Sequence, residues 1–334
     1  MEFTAVDISG KELGKIRNIK QADIEIGDTN TFELVFLMEE WLTADELPAM
    51  DYFCCEGQEV GGRIKKLKVL TEKGQVKASG YTWRGNLAKK IIEPPAGEAY
   101  LVVSGEANAV LSQILDNRFG GFIVASEEIS EFNIASYQFA RYCTVLDGIN
   151  NMLEKVGAKL SMKYVPSRVI GTEKHLGYVE VSAVPIADYS ESIEFSKEGR
   201  IHMTATDDQT GVNHLICLGK GELTDRLVRH LYVDQMNNVS STQFYTGMDE
   251  ICETYDYSSV ESEEELIASG TQRLNERKSK RSIEITPNDI SVGIGDIVGG
   301  KEEITGIEMK THIVRIIYKI GTNGILTKQY KVGD

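Results

Sequence analysis

Apolar and polar residues alternate in short runs along the first part of the chain. Ile24-Glu-Ile26, Phe32-Glu-Leu-Val-Phe-Leu37 and the stretch from Arg63 to Val76 each have strand length, and turns such as Gly27-Asp-Thr-Asn30 and Glu72-Lys-Gly74 separate them. Such a density of short strands predicts a small barrel or sandwich. Pro94-Pro95 then stop helix and ladder alike. A helical period follows, with Ser104 as candidate N-cap and Val110, Leu111, Ile114 and Leu115 on one face. A second helix runs from about Tyr142 to Val156, where Val145, Leu146, Ile149, Met152, Leu153 and Val156 recur at helical spacing and Gly157 is placed to end it.

Strands resume in Tyr178-Val-Glu-Val-Ser-Ala-Val184, Ser192-Ile-Glu-Phe195 and His214-Leu-Ile-Cys-Leu218. A charge-graded helix comes next. Ser262 caps it with Glu265 three residues on, Glu263 to Glu265 occupy its positive end, and Arg273, Arg277 and Lys278 its negative end. Strand patterns fill the remainder. The chain therefore reads as α+β, predominantly β, in segments 1–95 (β), 96–173 (helical, α+β), 174–257 (β), 258–281 (a connecting helix) and 282–334 (β).

Two of these runs echo one another. Ile64 matches Ile313, Leu67 matches Ile316, and Lys73-Gly74 matches Asn323-Gly324 with one residue of slippage, so each is an apolar strand turning at a glycine into a second strand. A duplicated β-unit with no catalytic constellation between its copies points to a ring-forming scaffold.

At 334 residues the chain is too long for one ordinary core. The net charge of −15, from 51 acidic and 36 basic residues, works against general binding to nucleic acid through phosphates, though DNA could still pass such a surface. Met1-Glu-Phe-Thr-Ala-Val-Asp7 has neither the basic nor the apolar region of a secretion signal, and the apolar runs are too short to cross a membrane. Synthesis in a cytoplasm is expected. Cys54, Cys55, Cys143, Cys217 and Cys252 form no CxxC pair, which suits reduced, mostly buried thiols.

Candidate chemistry is sparse. Gly295-Asp-Ile-Val-Gly-Gly300-Lys301 fits a phosphate-cradling loop until Glu302 takes the place of the magnesium-binding hydroxyl, and strand signals follow where a helix is required. Gly219-Lys-Gly221 has no helix-opening glycine pattern behind it. His214 and Cys217, with His202 upstream, could supply zinc-type ligands, but an odd spacing on a strand sends His214 and Cys217 to opposite faces. Asp207-Asp208 and Glu263 to Glu265 supply paired carboxylates of the kind glycosidases use, yet the pair sits in a polar turn and the triplet where a helix favours negative charge. Tyr81-Thr-Trp83 and Tyr255-Asp-Tyr257 could mark a sugar- or protein-binding surface, or cross-strand packing. No catalytic residue, cofactor site or metal site is assigned.

Four phrases resemble the tail hub proteins of long-tailed phages, prophages and tailocins, also called baseplate hub or tail-tip proteins. They are Gly80-Tyr-Thr-Trp-Arg-Gly-Asn-Leu-Ala-Lys-Lys-Ile-Ile-Glu-Pro-Pro95, Gly105-Glu-Ala-Asn-Ala-Val-Leu111, Asn213-His-Leu-Ile-Cys-Leu-Gly-Lys-Gly-Glu222 with Asp225-Arg226, and Val292-Gly-Ile-Gly-Asp-Ile-Val298 with the hairpin after it. The resemblance implies a non-enzymatic structural protein of the virion tail tip or baseplate. It implies a homotrimer in which each subunit carries two similar β-barrel tube domains, the first in 1–95 and the second built from 174–257 and 282–334. Three chains then give a pseudo-six-fold ring that joins the hexameric tail tube or distal tail ring to a tip, spike or receptor-binding protein. Tape measure protein would fill its channel, and DNA would cross it without sequence-specific binding. The competing readings are a tail-associated cell-wall hydrolase using Asp207, Asp208 and Glu263, and a carbohydrate-binding adhesin using Trp83 or Tyr257.

Overall fold

A computed structural model describes every residue except 171–172, 191–193, 196–201, 287–291, 302–307, 322–323 and 334. The chain divides into two compact units, a larger one of Met1–Met203, Glu284–Glu302 and Gly306–Asp334 and a smaller one built on Thr204–Ile283.

The N-terminal alternation becomes β1 (Phe3–Val6), β2 (Glu12–Ile16), β3 (Gln21–Ile26) and β4 (Thr31–Leu37). In β3, Ala22, Ile24 and Ile26 point into the core while Asp23 and Glu25 point away, as a period of two requires. A short helix, α1 (Met38–Thr43), leads to β5 (Tyr52–Cys54) and to the hairpin of β6 (Gly61–Leu70) and β7 (Gln75–Thr82), which turns through Gly74 at φ 58°. Tyr81-Thr-Trp83 does not stay extended. Thr82 accepts a hydrogen bond from the Gly85 amide and starts α2 (Trp83–Ala88), which buries Trp83 and Leu87.

The helical section supplies β8 (Val102–Glu106), α3 (Ala107–Leu115), β9 (Ile123–Ala125), β10 (Asn133–Gln138), α4 (Val145–Glu154), β11 (Ala158–Val165), β12 (Arg168–Ile170), β13 (Glu173–His175) and β14 (Tyr178–Pro185). Ser104 lies inside β8, so it is not the cap. Glu106 takes that role, its carboxylate accepting from the amides of Asn108 and Ala109. The second helix starts later than the expected Tyr142, because Thr144 accepts from the Asp147 amide and fixes the start. Gly157 follows at φ 71°, the left-handed position that ends a helix. Helices α3 and α4 pack on a three-stranded sheet of order β11-β14-β9, with Val110, Leu111, Ile149 and Met152 fully buried. Tyr52 and Phe122 stack at 4.1 Å in the same core.

After β15 (Glu194–Phe195) and β16 (His202–Asp208) come β17 (His214–Leu218), β18 (Val228–Val233), β19 (Val239–Ser240) and β20 (Cys252–Asp256), then α5 (Glu263–Arg277) and β21 (Lys280–Thr286). The smaller unit is a sheet of order β19-β18-β17-β20 covered on one face by α5. Ser262 caps that helix as expected, accepting from the Glu265 amide. Gly270 is needed where α5 meets the sheet, since a Cβ there would lie 2.4 Å from Cys217 Sγ.

The chain ends in β22 (Ile297–Lys301), β23 (Glu308–Ile320) and β24 (Leu326–Val332). Strand β23 pairs with β24 on one side and, through Ile316–Ile320, with β3 on the other. The larger unit therefore holds one antiparallel run of order β24-β23-β3-β4-β7-β6, continuing to β5-β1-β2. A predominantly β, α+β fold is what the pattern predicted. Two closed barrels are not seen among the described residues. The two echoing hairpins instead belong to one sheet, where β3 and β4 stand between them. Their likeness reflects a shared environment, an alternating hairpin within an extended sheet. The match at Asn323 lies outside the described residues.

Candidate assembly surface

The antiparallel run has one buried face and one mostly polar face, on which Val35 is nonetheless buried. Register places Thr327, Lys319, Asp23, Glu33, Ser79 and Lys66 in a single row across its strands, with Asp23, Lys319 and Lys66 exposed. Acids and lysines are mixed along it. Lys77 Nζ lies 2.5 Å from Glu33 Oε1, and Arg315 reaches Asp28 at 3.0 Å and Glu25 at 3.5 Å. The chain's net −15 is thus not gathered on this face.

Close packing of β23 on β3 depends on Gly27. Its φ is 121°, and a Cβ there would lie 2.0 Å from the Val314 carbonyl oxygen. Asn30 shapes the same turn, accepting from the Gly27 amide at 2.9 Å and donating to the Asp28 carbonyl at 2.9 Å.

At the far side of the run, β6 is bonded to β7 along its length but to β5 only at Gly61–Arg63. The Ile64 amide is taken by the Asp51 carbonyl at 2.9 Å. Beyond it, Lys65–Leu70 has no second neighbouring strand among the described residues. Both faces of this arm are open, with Leu67 53 % and Val69 57 % exposed beside Lys65, Lys66 and Lys68. An unpaired edge carrying exposed apolar side chains is a template for another chain, while the lysines discourage indiscriminate pairing.

Two of the phrases that suggested the resemblance are accounted for by packing. In Gly80–Pro95, a Cβ at Gly80 would meet the Arg63 carbonyl at 2.0 Å, Trp83 is 1 % exposed, and Leu87 and Ile92 enter the core. Arg84 is buried and donates to Glu59 and to the Leu160 carbonyl, while Asn86 donates to the carbonyls of Tyr81 and Thr82. In Val292–Val298, Asp296 accepts from the Gly293 and Ala187 amides and pairs with Lys159 at 2.6 Å. The phosphate-loop candidate Gly295–Lys301 runs into strand β22 (Ile297–Lys301) where a phosphate loop would open a helix, and Glu302 lies outside the described residues.

The candidate chemical groups are not brought together. Asp208 accepts from the Thr210 amide and hydroxyl, and those bonds hold its carboxyl below the usual carboxylate range. Glu263 is held low by Arg229, which donates to both its oxygens, and Glu264 accepts from Ser262. Asp207 and His202 lie in β16. Cys217 is buried against α5 in the core, on the face of β17 away from His214. Burial raises its thiol, and those of Cys54, Cys55, Cys143 and Cys252, above the ordinary value. Trp83 is closed to a sugar, and Tyr255 and Tyr257 pack against the smaller core with rings 6.0 Å apart. Among the described residues no group of three or more His, Cys, Asp or Glu could hold a metal ion. Nor is any helix among them long and apolar enough to cross a membrane.

One polar constellation escaped the sequence. His214 contacts Glu250 and His230, neither of which carries a spacing signal, because the contact joins two strands and a loop.

No protein-family model matches the chain, and no curated protein matches it. Solved structures do. The 43 kDa tail protein of prophage MuSo2 from Shewanella oneidensis aligns over 99 % of this chain and 97 % of its own length, with 12 % identity and a TM-score of 0.52. Prophage tail protein gp18 from Listeria monocytogenes aligns over 100 % and 94 %, with 13 % identity and a TM-score of 0.48. A tail protein from Neisseria meningitidis aligns over 100 % and 97 %, with 13 % identity and a TM-score of 0.46. The chain has the fold of the MuSo2 prophage tail protein.

Proposed function

We propose that this chain is a structural hub of a phage or phage-like tail. In this reading three copies form a ring that joins the hexameric tail tube or distal tail ring to the tip or spike protein. The ring surrounds a channel for tape measure protein and then for DNA, and its place is the virion tail tip or baseplate.

The observation that carries the proposal is the long antiparallel run with a polar face and an open edge at Lys65–Leu70. A polar face suits the wall of a water-filled channel, and an edge of this kind suits head-to-tail contact that closes into a ring. Alignment over 97 % of the Shewanella prophage tail protein supports the same reading. The structural partners found for Asp208 and Glu263 favour an assembly role over hydrolysis.

Mass-resolved chromatography of the purified chain, followed by negative-stain imaging after addition of the tube or distal tail protein, tests the proposal. A trimer that gives six-lobed rings is expected. A protein that remains monomeric at every concentration and is absent from purified tails overturns it.

A further inference from the structure

In the smaller unit, His214 Nδ1 lies 2.5 Å from Glu250 Oε1, and His214 Nε2 lies 2.8 Å from His230 Nδ1. The two imidazoles come from adjacent strands, His214 standing opposite Tyr232 and His230 opposite Ile216. They share the sheet face that α5 leaves uncovered. A carboxylate only accepts, so His214 donates from Nδ1, and in the neutral ring Nε2 then turns a lone pair toward His230. The His214 ring is held in place by Tyr232, stacked at 4.5 Å, and is only 8 % exposed, whereas His230 is open to solvent. Gln243 donates to Glu250 at 3.0 Å and steadies the carboxylate.

Two imidazole nitrogens facing each other, one of them on a ring oriented by a carboxylate, are half of a first coordination sphere with its outer support already built. Ligands about 2.0–2.1 Å from a zinc ion at a tetrahedral angle stand roughly 3.3–3.4 Å apart. The present separation of 2.8 Å reaches that value by a small rotation of the exposed His230 ring. Cys252 lies in register with His214 on β20 and is exposed, but no third protein ligand is in place among the described residues, which leaves the rest of the sphere to solvent.

We infer that His214 Nε2 and His230 Nδ1 form a two-imidazole seat for a borderline transition-metal ion such as Zn²⁺, with Glu250 positioning His214. Occupation exchanges the hydrogen bond between the rings for two metal–nitrogen bonds. The His230 proton moves from Nδ1 to Nε2 through solvent, so a neutral pair releases no net proton. The seat shares no residue with the edge or the polar face of the assembly reading.

The test is titration of the full chain with Zn²⁺ at neutral pH, followed by calorimetry and by the imidazole resonances in NMR. One ion per chain is expected, with His230 changing tautomer. His230→Gln keeps an amide donor for His214 and should weaken binding at least tenfold, and Glu250→Gln should weaken it by about 10–100-fold. No binding below millimolar Zn²⁺ overturns the inference. So does binding that His230→Gln leaves unchanged, or that Cys252→Ser alone abolishes.

Discussion

Arg84 and Glu59 form a bidentate pair, with Nε donating to Oε1 at 2.5 Å and Nη2 to Oε2 at 3.2 Å. Nη2 also donates to the Leu160 carbonyl at 2.9 Å, so one guanidinium ties α2 to β11 and to the loop before β6. The Arg84 side chain is 4 % exposed, which makes an unpaired partner expensive. Glu59→Ala should destabilise the larger unit by about 3–5 kcal/mol. Arg84→Met, which removes the charge and keeps the bulk, should cost less. Urea denaturation of both variants checks the order.

Lys328 points toward the rings of Tyr318 and Tyr330, its Nζ 5.4 and 4.5 Å from their centroids. Burial pushes its pKa down to about 8 from the ordinary 10.5. Protons are therefore bound more weakly in the folded state. Stability should rise as pH climbs from about 8 through 10.5, and this site should add no slope below about pH 8, where both states are charged. Lys328→Met should remove that slope and raise stability near pH 7 by about 1 kcal/mol. Denaturation midpoints at pH 7.5 and 9.5 measure both effects.

Leu67 and Val69 are exposed on the arm of β6 and contribute little to the subunit's own core. Replacing both with Lys should leave subunit stability within about 0.5 kcal/mol while shifting self-association toward the monomer. Sedimentation alongside a thermal melt separates the two quantities. Unchanged assembly would remove this edge from the interface.

Gly27 faces the Val314 carbonyl with no room for a methyl group and has a left-handed φ. Gly27→Ala should cost more than about 2 kcal/mol, from strain in the turn and from displacement of β23. Hydrogen exchange should then rise along Ile316–Ile320, which pairs with β3.

Alternation made β3, β4, β14 and β17 legible, because one buried face imposes a period of two. The caps at Ser262 and Gly157 were readable for an equally local reason. The cap at Ser104 was misplaced by two residues because Glu106, an unusual capping residue, uses both carboxylate oxygens. Helix α2 was hidden in an aromatic phrase too short to show a helical period. Sheet order could not be read at all, since Ile316 meets Ile26 by a pairing that no local pattern encodes. The His214–His230 contact was invisible for the same reason.

The pairing of β23 with β3 joins segments separated by nearly all the rest of the chain, and it sets an order of events during synthesis. β3 and β4 leave the ribosome early, yet β3 gains its second neighbour only after the last strands are made. Until then the nascent subunit has an open edge in the middle of its future sheet, a state prone to wrong pairing. Completion of the sheet therefore waits on the last strands, and a chain interrupted before β23 leaves β3 with an open edge.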